Sequence, residues 1–466
     1  MSYSDKTMTF NTFFKTYLKI ILPSLLVIVI STIAYFSRWI FFYHFDPVYW
    51  ENAYYESQWN VPNSARGIGD EGVYRYIGYR LVNNRENPFN VDYWVPPLGK
   101  YTYGLTAKFL GNPFITTFIY YLGSILIFYL ISKQIFPTPY HWITTILFAS
   151  NPMIVDEIQT TMLDLPLTFF FLLFIYFFIR YLSSKNNNIL YLSALSLGLM
   201  AGVKPPFFIP MFALVAAYFL FKKRLFKKVI PFFIFIFIGY VLAYFCYFIK
   251  HPNPIPWIRL HQKVIAFQKN NGGSHDWFNI IRYIFTIEFR GFWVGAKSYW
   301  PTNWSVILPV GVISTVLSLY KFVKKKPLPE WLSYCLLITI FYLMMNLIID
   351  FWPRYLVPLV PILILISCYF LKKYKLIPLL IFVTYLPFLY LFLFPKSTDL
   401  VSSFQNLYTS GFYKDSYELL DSKTKKQFGL SQWQYLSKNS LFSDNKFNPI
   451  KENNQWRMSI EIEKPK

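Results

Sequence analysis

Two adjacent carboxylates, Asp70 and Glu71, stand in the polar stretch Gly69-Asp70-Glu71-Gly72-Val73-Tyr74-Arg75-Tyr76, beyond the first long apolar run. A carboxylate at the outer mouth of a membrane helix bundle is costly unless it is used. Its economical uses are as a general base, or as an ion-pair partner for a substrate that lies in the bilayer and reacts at its surface. The flanking glycines permit close backbone approach. The side chains of Tyr74, Arg75, Tyr76, Tyr79 and Arg80 suit a phosphate and a sugar ring. The competing reading is a solvated pair of loop acids.

Four further stretches carry chemistry-bearing residues. Asn87 to Lys100 holds Asp92 and Lys100 on either side of Pro96-Pro97, which bend the chain out of helix geometry; a structural turn explains it equally. Asn151 to Leu167 clusters Asp156, Glu157 and Asp164 at one outer turn, and Asp164 can also cap the apolar helix that follows. Gly198 to Pro206 ends in Lys204, a lone outer cation that a phosphate anion would partner, or that snorkels to headgroups. Asp350 to Pro361 holds Arg354, which can clamp a phosphate bidentately or pair with Asp350.

The elements that must position these residues are membrane spans. The chain has 466 residues, 55% apolar, 22% aromatic and 15% charged, too greasy for a soluble domain of this size. A span needs about 20 apolar residues. That rule gives about eleven, near 20–43, 113–132, 140–157, 163–181, 188–203, 206–221, 229–249, 304–320, 331–349, 355–371 and 376–394. Basic residues crowd alternate connections, including Lys222, Lys223, Arg224, Lys227 and Lys228, then Lys321 and Lys324 to Lys326. The positive-inside rule then puts the N-terminus in the cytoplasm and the C-terminus outside. Two long connections, 44–112 and 250–303, fall on the outer face and mark it as the working surface. The expected fold is an all-α polytopic membrane protein with a transmembrane domain over 1–395. A small outer α+β appendage is expected over 396–466, with helical spacing at 404–420 and 427–441. Strand alternation falls at Trp456, Met458, Ile460 and Ile462.

The net charge of +22 belongs to those inner connections, with no recognition helix or basic repeat for nucleic acid. Cys246, Cys335 and Cys368 lie in apolar segments and read as small hydrophobes. His44, His141, His251, His261 and His275 show no zinc spacing. Outer acidic oxygens can hold a hard divalent cation, which the sequence does not require. No P-loop pattern cradles a nucleotide.

Taken in order, these elements resemble the GT-C superfamily of membrane glycosyltransferases, near the protein O-mannosyltransferase and aminoarabinose transferase branch. The family's acidic pair in the first outer loop matches Asp70-Glu71. Its proline-rich element matches Pro96-Pro97-Leu98-Gly99-Lys100, with Val95 where the family often carries His or an acid. Its Asp before an apolar helix matches Asp164-Leu165-Pro166-Leu167. Its Gly-rich span ending in Lys matches Gly198 to Lys204, and its Arg-Tyr-Leu with spaced prolines matches Arg354-Tyr355-Leu356 with Pro358 and Pro361.

The resemblance implies a GT-C fold and a polyprenyl-phosphate-linked sugar donor. It implies transfer to a hydroxyl acceptor on a protein, lipid or glycan, with inversion at the sugar, at the outer face of a plasma membrane. Asp70 is then the base. Lys204, Arg354, Arg75 and Lys100 are candidates for the donor phosphate. Glu71 joins Asp70 as a catalytic candidate; Glu71, Asp92 and Asp164 are candidates for holding the sugar or orienting the base, and Asp92, Asp164, Tyr74 and Tyr355 for contacting sugar or acceptor or shaping the site. A lipid-linked glycan polymerase or ligase is the nearest alternative. A transporter or flippase would place ionisable residues mid-span, whereas here they sit at span ends.

Overall fold

The computed structural model describes residues 10–62, 64, 68–205, 209–270, 276–290, 298–301, 303–349 and 351–373, with 376, 377, 380, 420, 446–452 and 455–461. The chain divides into two compact units, one of Met1–Ser37 and Phe45–Pro378, the other of Arg38–His44 and Leu379–Lys466.

In the first unit the apolar run at the N-terminus becomes α1 (Phe10–Phe36). A short helix, α2 (Trp39–Phe42), belongs to the second unit. The connection expected as a long outer loop is largely helical, holding α3 (Pro47–Tyr55), α4 (Asp70–Asn83) and α5 (Leu98–Leu110). The Asp46 carboxylate caps α3, accepting from the backbone N–H groups of Val48 and Tyr49. Then come α6 (Phe114–Ile135), α7 (Tyr140–Ala149), α8 (Pro152–Ile158), α9 (Asp164–Ser184), α10 (Asn187–Ala201) and α11 (Ile209–Lys222). After a basic turn come α12 (Val229–Ala243) and α13 (Phe245–Lys250). The second long connection holds α14 (Pro254–Asn270), α15 (Asn279–Thr286) and a two-residue antiparallel pair, β1 (Phe289–Arg290) with β2 (Ser298–Tyr299). The unit continues with α16 (Ile307–Val323) and α17 (Glu330–Ile348). A 3-10 turn over Pro353–Leu359 then runs into α18 (Val360–Lys373).

Among the described residues, six helical segments are long and apolar enough to cross a membrane. They are Lys19–Phe36, Phe114–Ile135, Asp164–Ser184, Phe226–Ala243, Glu330–Ile348 and Pro353–Lys373. Three apolar helices, α10, α11 and α16, are shorter. Two expected spans are broken. The one at 140–157 is α7 and α8, because Pro152 offers no backbone N–H and the Asn151 side chain restarts the helix by accepting from Met153 N at 3.1 Å. The one at 229–249 parts at Tyr244 into α12 and α13. The span expected at 376–394 and the tail helices expected at 404–420 and 427–441 lie almost wholly outside the described residues. In the second unit, β3 (Lys446–Glu452) and β4 (Gln455–Glu461) form an antiparallel hairpin in which Trp456 faces Lys451 and Met458 faces Pro449.

Two helix crossings set the frame of the first unit. A Cβ on Gly104 would lie 1.9 Å from the Gly78 carbonyl oxygen, and one on Gly78 would lie 2.3 Å from that of Lys100. The α4 and α5 backbones therefore touch with no side chain between them. The α10–α12 crossing is built the same way, with Gly198 against Ile236 and Gly239 against Leu195. Aromatic rings fill the space between α9, α11 and α17. Phe178 stacks on Tyr334 at 4.5 Å between centroids, and Phe212 on Tyr342 at 6.0 Å.

Gly104→Ala should push α4 off α5 at a cost of about 2 kcal/mol or more. The check is a lowered unfolding temperature of the detergent-solubilised variant; an unchanged midpoint would refute backbone contact at this crossing.

Candidate active site

Four helix ends bring charged side chains together. α4 starts at Asp70, after an extended Gly69, so Asp70 and Glu71 occupy its first turn, where the helix dipole favours negative charge. α9 likewise has an acid, Asp164, as its first residue, after Leu163 in the right-handed helical region. Lys204 follows the C-terminal end of α10, and Arg354 opens the 3-10 turn that leads into α18.

These ends form a continuous ionic chain. Asp70 Oδ2 accepts from Arg354 Nη2 at 2.6 Å. Arg354 Nε lies 3.7 Å from Asp164 Oδ2. Asp164 Oδ1 accepts from Lys204 Nζ at 2.5 Å. Two acids and two bases thus alternate over residues 70, 354, 164 and 204. The Asp164 side chain is 1% exposed, whereas Asp70 and Arg354 keep 32% and 23%, so the chain runs from the interior to an accessible edge at Asp70. Arg354 Nε and Asp164 Oδ2 have no hydrogen-bond partner among the described residues. Tyr355 lies 4.9 Å from Lys204 Nζ, and Trp352 and Tyr355 flank the Arg354 guanidinium at 5.4 and 5.9 Å. Burial pushes the Lys204 ammonium below its ordinary range, against the pull of Asp164. Burial pushes the Tyr74 phenol well up, reinforced by Asp70 and Asp92.

Glu157, near the end of α8, is buried. Burial, then the charges of Asp164 and Asp156, hold its carboxyl well above the usual range. Burial and its acidic neighbours thus favour the uncharged form of this group beside the ionic chain. Asp156 hydrogen-bonds the Asn303 amide at 2.8 Å.

The remaining candidates are engaged differently. The Arg75 guanidinium lies between the rings of Trp50 and Phe114, at 4.4 and 5.0 Å. Its Nε donates to Thr161 Oγ1 at 3.1 Å, and Thr161 donates to the Glu71 carbonyl at 2.7 Å. Arg75 thereby ties the first turn of α4 to the segment before α9. The Glu71 carboxylate folds back against Gly69. Lys100 is fully buried and donates to Asp92 O, Asp92 Oδ2 and Val95 O at 2.8–2.9 Å, using all three of its N–H bonds. Asp92 sits at φ 44°, and Lys100 staples this strained turn. Burial, outweighing the pull of Lys100, pushes the Asp92 carboxyl up to about 6, and burial lowers Lys100. Asp350, the alternative partner for Arg354, lies outside the described residues. Trp50, Thr161 and Phe114 drew no notice in the sequence, since nothing in their spacing marks them as partners of a residue far along the chain.

Among the described residues no three His, Cys, Asp or Glu side chains converge as a metal site would require. The donor set also fits a divalent cation poorly, because Asp70 and Asp164 face Arg354 and Lys204, whose charges would repel it.

The fold and this site define a polytopic helical protein with a neutralised acid–base chain at one end of its bundle. Residues 95–247 match the family described as Dolichyl-phosphate-mannose-protein mannosyltransferase; the match contains Asp164 and Lys204 but neither Asp70 nor Arg354. The fold is similar to that of ArnT from Cupriavidus metallidurans bound to Undecaprenyl phosphate, with a TM-score of 0.53 at 14% identity, over 75% of this chain and 60% of that one. Against the same protein in the apo state the TM-score is 0.48 at 11% identity, over 79% and 64%. The chain thus spans about three-fifths of the length of the ArnT structures it matches. No curated protein matches it. The resemblance to the mannosyltransferase and aminoarabinose transferase branch of GT-C proteins therefore stands in both sequence and fold.

Two outcomes follow. Glu157→Gln should leave stability within about 1 kcal/mol of wild type, because burial and the neighbouring acids favour the uncharged form; a large fall in the unfolding temperature would refute that. The raised Asp92 value means its contribution to stability is full below about pH 4 and is lost as pH rises through about 6. The stability difference between wild type and Asp92→Asn should therefore move against wild type over that window, by about 2 kcal/mol. Denaturation midpoints at pH 4 and pH 7 test it, and a difference that does not change would refute it.

Proposed function

We propose that this protein is an inverting membrane glycosyltransferase. It moves a sugar from a polyprenyl-phosphate donor to a hydroxyl acceptor at the outer membrane face, with Asp70 as base. The observation that carries the reading is the ionic chain Asp70–Arg354–Asp164–Lys204, open at Asp70 and with one guanidinium N–H unclaimed. The ArnT fold and the mannosyltransferase match support a donor of this class.

The donor's lipid tail lies in the bilayer and its phosphate meets the chain from the membrane side. Arg354 and Lys204 hold the phosphate and stabilise the charge that grows on it as the sugar leaves. The bond from the anomeric carbon to the phosphate oxygen breaks, and the phosphate keeps the electron pair. The acceptor hydroxyl attacks the opposite face, and its proton passes to Asp70. The phosphate competes with Asp70 for Arg354, so donor binding releases the carboxylate as a base. Asp164 keeps Lys204 and Arg354 oriented. Arg75 and Lys100 act indirectly, by fixing the turns that carry Asp70 and Asp92.

Purified protein in detergent, given radiolabelled polyprenyl-phosphate sugars and cell-envelope acceptors, should release polyprenyl phosphate. Asp70→Asn should lower turnover by about 10³-fold while binding donor as well as wild type or better, since Arg354 is freed. Arg354→Ala should weaken donor binding at least tenfold. Full turnover in Asp70→Asn would remove Asp70 as base. A wild type that releases no polyprenyl phosphate from any donor would overturn the transferase reading and favour a transporter.

A further inference from the structure

A second charged cluster lies at the other end of α9. The helix runs 21 residues from Asp164 to Ser184, which places its two ends about 30 Å apart. At the far end, Lys185 closes α9 in the left-handed conformation, at φ 57°, and its ammonium donates to the Leu182 carbonyl. Lys223, just after α11, donates to Glu330 Oε2 at the start of α17 at 2.6 Å. Lys228, in the turn before α12, donates to Asn187 Oδ1 at 2.5 Å. Lys185 and Lys228 both lie over the Tyr181 ring, at 5.9 and 5.7 Å.

A cavity of about 500 Å³ opens beside this cluster, lined by Gln134, Arg180, Ser183, Ser184, Glu330 and Trp331, with apolar side chains of α6 and α9 completing its wall. That volume suits a small polar headgroup. Among the described residues Glu330 is the one carboxylate of this cluster and is paired with Lys223, while Arg180 donates to Tyr176 Oη at 2.9 Å, so the cations outnumber the acid. Partial burial first, and the nearby Lys223 ammonium second, push Lys185 down to about 8. Orientation by the positive-inside rule does not require such crowding. In two other basic connections Lys321, Lys324 and Lys372 lie over the rings of Phe370, Tyr320 and Tyr140.

We infer that Arg180, Lys185, Lys223 and Lys228, with the cavity beside them, bind the phosphate of an anionic phospholipid headgroup at the membrane face opposite the Asp70 cluster. The ammonium groups supply the charge that the phosphate needs. Ser183, Ser184 and Gln134 offer hydrogen bonds to a glycerol headgroup. Ile135, Ile179 and Leu182 supply an apolar wall for the first carbons of the acyl chains. This site is independent of the proposed transferase chemistry, so either can fail without the other.

Full-length protein in dodecylmaltoside is titrated with phosphatidylglycerol, with phosphatidylcholine of the same chains, and with inorganic phosphate, and its unfolding temperature is followed by tryptophan fluorescence. Phosphatidylglycerol should raise the midpoint well beyond the effect of phosphatidylcholine. Lys185→Gln/Lys228→Gln should need at least tenfold more phosphatidylglycerol for the same rise. Lys222→Gln/Lys227→Gln, which removes equal charge from the same connection, should behave as wild type. Glu330→Gln removes the competing carboxylate and should need severalfold less lipid, a change opposite in sign to any loss of structure. An equal response to phosphatidylcholine, or an unaltered titration in both Lys185→Gln/Lys228→Gln and Glu330→Gln, would overturn the inference. An equal rise with inorganic phosphate would also overturn it, by making the site one for the free ion.

Discussion

The ion pair between Asp70 and Arg354 joins residues 284 positions apart and fixes the start of α4 against the turn that leads into α18. Charges brought out of water are expensive unless each meets its opposite. The structure answers that cost with alternation, acid beside base, over four residues from four separate segments. Asp164, the most buried of the four, is held between two cations, and the accessible end of the chain is a carboxylate. A neutral cluster of this kind persists at rest and yet can be rearranged by an arriving anion, because the anion replaces one acid among the same two bases.

Everything around the chain restrains it. The α4–α5 glycine contact leaves no slack between these two helices of the first long connection. Arg75, held between two aromatic rings, ties the Glu71 carbonyl to Thr161. Lys100 spends all its protons on the turn at residues 92–95. These are positively charged residues used as structural pins. A buried lysine or arginine fits that role when nearby carbonyls and carboxylates can accept each of its N–H groups. Glu157 makes the complementary case, an acid whose burial and acidic neighbours raise its carboxyl and favour its uncharged form.

α9 connects two clusters of opposite design. At its first residue the charges are balanced and partly buried. At its far end the cations outnumber the carboxylate and border an open cavity. The same helix thus carries a self-neutralised site at one face of the bilayer and a site wanting an anion at the other. The difference lies in whether an acid was supplied by the neighbouring elements.

Residue types and order by themselves determined a good deal. The apolar runs called for a helical membrane protein, since lipid admits only helices and closed barrels and uninterrupted runs of about 20 residues fit helices, not the short alternating strands of a barrel. Asp70, Asp164, Lys204 and Arg354 were all recognisable as charges at span ends, and the order of their motifs gave the GT-C resemblance. Helix integrity was less legible: the runs at 140–157 and 229–249 are largely apolar, yet Pro152 and the bend at Tyr244 split them. Only the tertiary structure decided who pairs with whom. Arg75, Lys100 and Arg354 look alike in sequence as outer cations, but a guanidinium or ammonium acts on whatever lies within about 4 Å. Helix crossing and loop return set that neighbourhood, and they place Trp50 and Phe114 on Arg75, Asp92 on Lys100, and Asp70 on Arg354.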